Sequence, residues 1–287
     1  MPLDPQTLLN FEIPEQRQGY GHREVAFYAL SIGLGQDPLD TDQLRFAGGL
    51  DEIVAFPTMA LVLGHPGFWL ADPRTGVDAT RVLHGEQGMT LHAPLPPAGT
   101  VIGRTRVTGL IDKGAGKGAL MYSEKDLVDA DTGTLLATTR STTFLRGDGG
   151  CGGTNAEPKQ VHQLPDTPPD IAIEIPTRPE QALWYRWNCD DNPLHLNPAV
   201  AARAGFERPI LHGLCTLGVA AQALLRTLAG GNAGRFRTLD ARFTAPVYPG
   251  ETLRTEIWRD GSFRTRVVER DVVVIANGRF EVAAGDG

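Results

Sequence analysis

The residue types best suited to proton transfer are concentrated between positions 190 and 213. They occur in Asp190-Asp191-Asn192-Pro193-Leu194-His195 and in the following pair His212-Gly213. Aspartate and histidine are the side chains that most often exchange protons near neutral pH. Since the residue before a proline is kept out of the helical region, the Asn-Pro step favours a turn that brings Asp190, Asn192 and His195 to one edge. The segment therefore predicts an acid/base site.

Two other interpretations of these residues stay open at this point. The segment could be a capped turn that opens a short helix from Pro198 and leaves His195 exposed. Asp190, His195 and His212 could also ligate a metal, but no pair has the i,i+4 spacing of a helical zinc motif and no cysteine joins them. The sequence therefore predicts no metal and no other cofactor.

Other kinds of catalysis find little support. Cys215 lies between Leu214 and Leu217 on an apolar stretch, which predicts a buried structural thiol and not a nucleophile. No Walker loop, no G-x-G-x-x-G after a strand and no G-x-S-x-G elbow occurs. Nucleotide hydrolysis, dinucleotide binding and α/β-hydrolase chemistry are therefore not indicated.

Composition excludes further classes of protein. The 287 residues are 41% hydrophobic and carry a net charge of −7 without a run of lysines or arginines, so we expect a globular chain that binds neither nucleic acid nor a membrane. No apolar run reaches the roughly 18 residues of a membrane span, and neither a secretory signal nor a peroxisomal address is visible. Three cysteines cannot form a disulfide framework. These features predict a soluble, cytoplasmic protein.

The chain carries signs of an internal duplication. A Gly- and Pro-rich stretch over 147–179 separates two halves, and we predict a domain at 1–150, a linker at 151–179 and a second domain at 180–287. The sequence around Asp40 resembles that around His195, and the block from Ala93 resembles the block from Ala245 with nearly the same offset. The same order and spacing of both matches favours a repeated domain.

The elements that must position the site can also be read from the sequence. A long stretch over 213–229 is apolar almost all round and ends at Gly230-Gly231, which predicts a buried helix with a glycine cap. A helical stretch is also expected from about Tyr28 to Asp40. Alternating β-rich runs predict six strands, at 101–111, 118–127, 134–145, 252–258, 263–270 and 272–282. A buried helix followed by antiparallel strands indicates an α+β fold in which a sheet wraps a helix.

Longer motifs resemble a known family. The segments 185–198 (YRWNCDDNPLHLNP), 204–206 (AGF) and 209–216 (PILHGLCT) resemble the signature of type 2 (R-specific) enoyl-CoA hydratases, the MaoC-like dehydratases that include the hydratase part of peroxisomal multifunctional enzyme type 2. Shorter matches at 28–30, 56–58, 94–96, 112–114 and 122–125 resemble that family's N-terminal half. One departure is Asn188-Cys189, where the family usually has Ser-Gly, so we expect a shifted turn there.

The resemblance implies a double hot-dog fold, with two antiparallel sheets that each wrap a helix. It also implies roles for individual residues. Asp190 and His195 would be the catalytic pair, Asn192 would help to hold the water, and the Gly213 N–H would bind the thioester oxygen. His212 would contact substrate. By their positive charge near the block from Ala245, Arg237 and Arg242 could meet the CoA phosphates, with a solvated surface position as the alternative.

The first half lacks this equipment. Asp40 stands where the second half has His195, and Phe56-Pro57-Thr58 replaces His212-Gly213, so we expect the first half to bind the acyl chain. The resemblance implies reversible hydration of trans-2-enoyl-CoA to (3R)-3-hydroxyacyl-CoA in fatty-acid-type acyl-CoA metabolism. It also favours a homodimer. A hot-dog acyl-CoA thioesterase and a non-catalytic acyl-CoA binding module remain the alternatives.

Overall fold

Ten antiparallel strands form one continuous sheet in the computed structural model, which describes residues 3–48 and 52–283. The strands are β1 (Gln16–Tyr20), β2 (Val82–Leu91), β3 (Gly99–Asp112), β4 (Ala119–Asp129), β5 (Leu135–Leu145), β6 (Ile171–Pro176), β7 (Phe236–Phe243), β8 (Thr252–Ile257), β9 (Ser262–Val267) and β10 (Val272–Val282). Their order across the sheet is β1-β3-β4-β5-β2-β7-β10-β9-β8-β6. The α-helices are α1 (Pro5–Leu9), α2 (His22–Ser31), α3 (Thr41–Ala47), α4 (Gln181–Tyr185), α5 (Pro198–Arg203) and α6 (Gly213–Leu228).

The strand order shows that the topology of the first half is repeated in the second. Each half forms five strands in the same relative order, and the two halves meet edge to edge where β2 pairs with β7. At the centre of this seam Gly88 lies opposite Asp240, and the two are separated by the same number of residues as Ala93 and Ala245. The seam therefore coincides with a pseudo-two-fold axis relating the two copies. This symmetry agrees with the duplication that the sequence indicates.

Helix α6 is the buried element of the second half. Eleven of its 16 residues are buried, as the apolar sequence predicts. Gly230 and Gly231 follow it with φ of 61° and 74°, and the Gly231 N–H donates to the Leu225 carbonyl, so the expected glycine cap is present. Near its middle, a Cβ on Gly218 would lie 2.6 Å from Ile32, just after α2. A glycine at this position therefore lets α6 pack closely against the first half.

The first half has a shorter element in the corresponding place. Pro57–Leu61 forms a five-residue 3₁₀ helix, and the buried Lys125 of β4 donates from its Nζ to the carbonyls of Ala60, Leu61 and Leu63. These bonds occupy carbonyls that have no partner within so short a helix. Burial lowers the pKa of Lys125 to about 8. A buried cation therefore anchors the short helix to the sheet.

Most elements lie where the sequence predicts them. The six expected strands correspond to β3, β4, β5, β8, β9 and β10, with ends shifted by a few residues. The helix expected from Tyr28 to Asp40 is wrong in its bounds: α2 ends at Ser31, and Asp40 instead caps α3 by accepting from the Gln43 N–H at 3.2 Å. Strand β6, an edge strand paired with β8, lies inside the segment 151–179 that we assign to the linker. The domain boundaries stay a prediction.

Candidate active site

The segment that carries Asp190 and His195 is a series of short turns between α4 and α5. Pro193–His195 forms a 3₁₀ turn, which Asn192 caps by accepting from the Leu194 N–H at 3.0 Å. Asp190 in turn accepts from the Asn192 N–H at 3.0 Å. A short helix begins at Pro198, as one of the two structural interpretations predicts, but His195 is only 8% exposed. The turn therefore serves to bury the histidine.

The geometry of His195 fixes its tautomer. Its Nδ1 lies 2.8 Å from the carbonyl oxygen of Ile210. Because a carbonyl can only accept, Nδ1 of the neutral ring carries the hydrogen and Nε2 presents a lone pair. Burial lowers the pKa of His195, an effect that the Ile210 carbonyl and Asp190 partly offset. The ring is thus held neutral and ready to accept a proton at Nε2.

His212 completes a compact cluster with the other two residues. Its ring stacks on that of His195 with centroids 3.7 Å apart and planes 26° apart, and one ligating atom each of Asp190, His195 and His212 lie within 4.8 Å of one another. His212 is 1% exposed, and burial together with His195 lowers its pKa to about 3. Among the described residues neither ring nitrogen of His212 has a well-formed hydrogen bond. Both nitrogens are buried from solvent.

The N-terminus of α6 supplies donors beside this cluster. Gly213 is the first helical residue, and Thr216 is the first whose N–H bonds back within the helix, to the His212 carbonyl. The N–H groups at the start of the helix therefore have no partner within the helix. Together with the helix dipole, they can stabilise negative charge that develops on a bound group. A Cβ on Gly213 would lie 3.4 Å from the Phe243 ring, so the approach to this N–H is narrow.

Asp190, His195 and His212 also bring three possible metal-ligating atoms close together. A ligating imidazole points the lone pair in its ring plane at the ion. The two rings lie in nearly parallel planes 3.7 Å apart, whereas the ligands of one zinc ion approach it from well-separated tetrahedral directions. The arrangement therefore fits proton transfer better than metal binding. The absence of a cofactor stays a prediction.

The other predicted site residues have hydrogen-bond or ion-pair partners within the protein. Asn192 is exposed and its Oδ1 caps the turn. Arg242 lies on β7 and pairs with Glu86 of β2 at 2.6 Å, while Arg237 donates to the Leu91 carbonyl at 2.9 Å. Both arginines thus have partners across the seam. The water-holding role of Asn192 and the CoA contacts of the two arginines stay predictions.

The turn before Asp190 keeps an unusual backbone. Cys189 has a φ of 150°, a value that glycine adopts readily and other residues rarely do. Asn188 anchors the turn by donating to the Ser31 Oγ at 2.8 Å and to the Tyr185 carbonyl at 3.0 Å. Burial raises the pKa of the Cys189 thiol to about 12, so it stays protonated. Cys215 is fully buried, in line with its prediction as a structural thiol.

Sequence reasoning did not single out His84 of β2, which lies near the site. Its ring packs edge-on against Phe243 with centroids 5.0 Å apart, and Phe243 in turn adjoins Gly213. The available signal was Gly85, since a glycine inside a strand pattern indicates a bulge.

Each half of the chain is similar to a known protein domain. Residues 160–278 match the family model described as MaoC like domain, and residues 19–147 match the MFE-2 hydratase 2 N-terminal domain. The chain is 43% identical to 3-hydroxyacyl-thioester dehydratase Y of Mycobacterium tuberculosis, covering 99% of this chain and 100% of that protein. It is 39% identical to the peroxisomal enoyl-CoA hydratase 2 of Arabidopsis thaliana, covering 94% and 92%.

Solved structures agree with these matches. The crystal structure of a MaoC-like dehydratase from Phytophthora capsici superposes with a TM-score of 0.87 at 34% identity, covering 99% of this chain and 100% of that one. The expected α+β, double hot-dog architecture is confirmed. With both halves matched and relatives similar over nearly their whole length, the chain belongs to the MaoC-like dehydratase family, in its hydratase 2 branch.

Proposed function

We propose that the protein is a hydro-lyase that reversibly hydrates trans-2-enoyl-CoA to (3R)-3-hydroxyacyl-CoA. The relatives are named as an enoyl-CoA hydratase 2 and a 3-hydroxyacyl-thioester dehydratase, which are names for the two directions of this reaction. The observation that carries the proposal is the position of the Asp190–His195 pair beside the N-terminus of α6. This arrangement supports a site in which proton-transfer groups work beside oxyanion donors.

The chemistry divides among three groups. Asp190 and His195 hold one water, whose O–H bond breaks as its oxygen adds to C3. The proton that His195 takes from this water is then returned to C2, so that only the elements of water are added. The Nε2 lone pair of His195 accepts a proton from the water. Charge that develops on the thioester oxygen is stabilised by the Gly213 N–H at the helix terminus. Such donors contribute about 10²–10³ in rate in other enzymes.

The test is a direct assay with crotonyl-CoA. We expect loss of the ultraviolet absorbance of the conjugated enoyl thioester, and chiral analysis should identify the (3R) product. Release of free CoA thiol would instead indicate the thioesterase alternative, which would use the same fold. Tight binding of crotonyl-CoA without either change would indicate a non-catalytic binding module.

Some features of the proposal go beyond the comparisons. We expect the first half to bind the acyl chain, because its 3₁₀ helix at Pro57–Leu61 is far shorter than α6 and brings no His-Gly pair. No metal or other cofactor should be needed, so treatment with a chelator should leave the rate unchanged. A homodimer and a cytoplasmic location also remain predictions, and the relatives include peroxisomal enzymes. Within residues 3–48 and 52–283, no helix combines the length and apolar character needed to cross a bilayer.

A further inference from the structure

An irregularity in β2 changes the direction of one side chain. In the ladder between β2 and β5, His84 pairs with Thr143 and Glu86 pairs with Thr142, so Gly85 is an extra residue without a partner. This is a β-bulge, a feature often found beside active sites, where it redirects a side chain. In a regular strand residues i and i+2 share a face, so His84 and Glu86 would point to the same face if Gly85 were paired in the ladder.

The bulge places His84 on the face that carries α6. Glu86 lies on the opposite face, where it accepts from the Thr142 hydroxyl at 2.8 Å and pairs with Arg242. Phe243, the neighbour of Arg242 in β7, points away from that face because successive residues alternate. The contact of His84 with Phe243 at 5.0 Å confirms that both rings share the α6 side.

His84 thus reaches the start of α6 from the first half of the chain. The Phe243 ring, against which it packs, lies 3.4 Å from the position of a Cβ on Gly213. The charge of Asp190 also acts on His84 and on the nearby His65 of the first half. Burial lowers the pKa of His84, an effect that the Gln87 side chain, the Glu86 backbone and Asp190 partly offset. The His84 side chain is exposed, so it lies beside the start of α6 with a surface open to solvent.

We propose that His84 is a substrate-contacting residue that the first half supplies to the active site. It would hydrogen-bond the CoA side of the thioester. This inference rests on the proposed function. When the thioester oxygen lies at the Gly213 N–H and the acyl chain points into the protein, the pantetheine arm leaves toward solvent past Phe243. A neutral imidazole offers one donor and one acceptor, which suits the amides of that arm.

The test compares His84→Phe, which keeps a ring against Phe243, with His84→Gln, which keeps hydrogen-bonding capacity. We expect the KM for crotonyl-CoA to rise about tenfold in His84→Phe, the size of effect for one lost hydrogen bond, with kcat little changed. His84→Gln should recover most of the loss. S-ethyl thiocrotonate lacks the pantetheine arm, so the wild type and His84→Phe should hydrate it equally. His92→Phe is the matched control, since His92 is exposed just beyond the far end of β2.

Binding of butyryl-CoA, measured by calorimetry, separates this proposal from the hydratase assignment. We expect about tenfold weaker binding to His84→Phe than to the wild type, whether or not the wild type turns over crotonyl-CoA. Unchanged binding and unchanged KM in a folded His84→Phe would overturn the proposal while leaving the hydratase function intact. A lower kcat at constant KM would also overturn it, because the contact would then act on the reacting atoms and not on the CoA arm.

Discussion

The protonation states of the two stacked imidazoles determine which proton transfers the candidate site can carry out. His195 is tied at Nδ1 to a backbone carbonyl, and His212 lies against it with a pKa far below the ordinary value. Both rings are therefore neutral at physiological pH, and the carboxyl group of Asp190 lies beside them. A neutral base beside a carboxyl side chain suits a reversible addition of water, because the base can take a proton from the water and return it to carbon.

Replacing Asp190 or His195 tests the proposed roles of these two residues. Asp190→Asn and His195→Gln should each lower kcat by about 10²–10⁴ while the protein stays folded. Because both side chains act on one water, the double variant should lose far less than the product of the two single effects. Steady-state kinetics with crotonyl-CoA and circular dichroism provide the measurements. A single variant with near-wild-type turnover would remove that residue from the mechanism.

We also expect His212 to make the free energy of unfolding depend on pH. Its pKa is about 3 in the folded protein and about 6.5 in an unfolded chain, so below pH 6.5 only the unfolded chain takes up the proton. The stability that this histidine contributes is therefore present above pH 6.5 and is lost as the pH falls toward 3. Between pH 7 and pH 5 the loss is about 2 kcal/mol.

His212→Phe should remove this part of the pH dependence, because phenylalanine does not titrate. Urea unfolding of both proteins at the two pH values measures the difference, with His92→Phe as the exposed control. Equal losses of unfolding free energy in wild type and His212→Phe would show that His212 is protonated in the folded state.

Among the local elements, the turn from Asn188 to Asp190 departs most from the family's sequence. A cysteine at φ 150° holds a conformation suited to glycine, which costs about 1–3 kcal/mol in similar positions. The hydrogen bonds of Asn188 to Ser31 and to the Tyr185 carbonyl hold the turn in place. Cys189 thus has a glycine-type backbone although it carries a side chain, and the expected shift of the turn stays a prediction.

Two substitutions at Cys189 separate backbone strain from the packing of the thiol. Cys189→Ala keeps the Cβ and the strain, whereas Cys189→Gly removes both. Elsewhere glycine is less stable than alanine by about 0.5–1 kcal/mol. Here we expect Cys189→Gly to be the more stable of the two, as measured by denaturant midpoints. The usual order of stability would show that the turn is unstrained.

In the first half, Asp40 has a structural role as the N-cap of α3. The sequence aligns Asp40 with His195, but Asp40 caps α3 through the Gln43 N–H and also accepts from the Gln43 side chain at 2.8 Å. Asp40→Ala should therefore leave turnover of crotonyl-CoA close to normal while lowering stability by about 0.5–2 kcal/mol, the usual value of a helix cap. Loss of activity in a folded variant would mean that the first half takes part in catalysis through this residue.

For the molecule as a whole, local patterns predict more than long-range pairing does. The alternating runs gave the bounds of β3 and β10 closely, and the apolar run gave α6, because periodicity within one segment is enough for these. The sequence signature also selected Asp190 and His195. The ion pair of Arg242 with Glu86 depends on the register between β2 and β7, which no single segment encodes. The direction of His84 depends in the same way on a bulge opposite β5.

The seam between β2 and β7 joins the two halves of the candidate site within a single chain. Two separate hot-dog chains would form such a sheet only above their dissociation constant, so their activity would fall on dilution. Covalent joining replaces that bimolecular equilibrium with an effective concentration in the millimolar range for a short tether. We therefore expect activity per chain to stay constant as the enzyme is diluted to nanomolar concentrations, whatever larger assembly the chains form. A specific activity that declines with dilution would place part of the active site on a second chain.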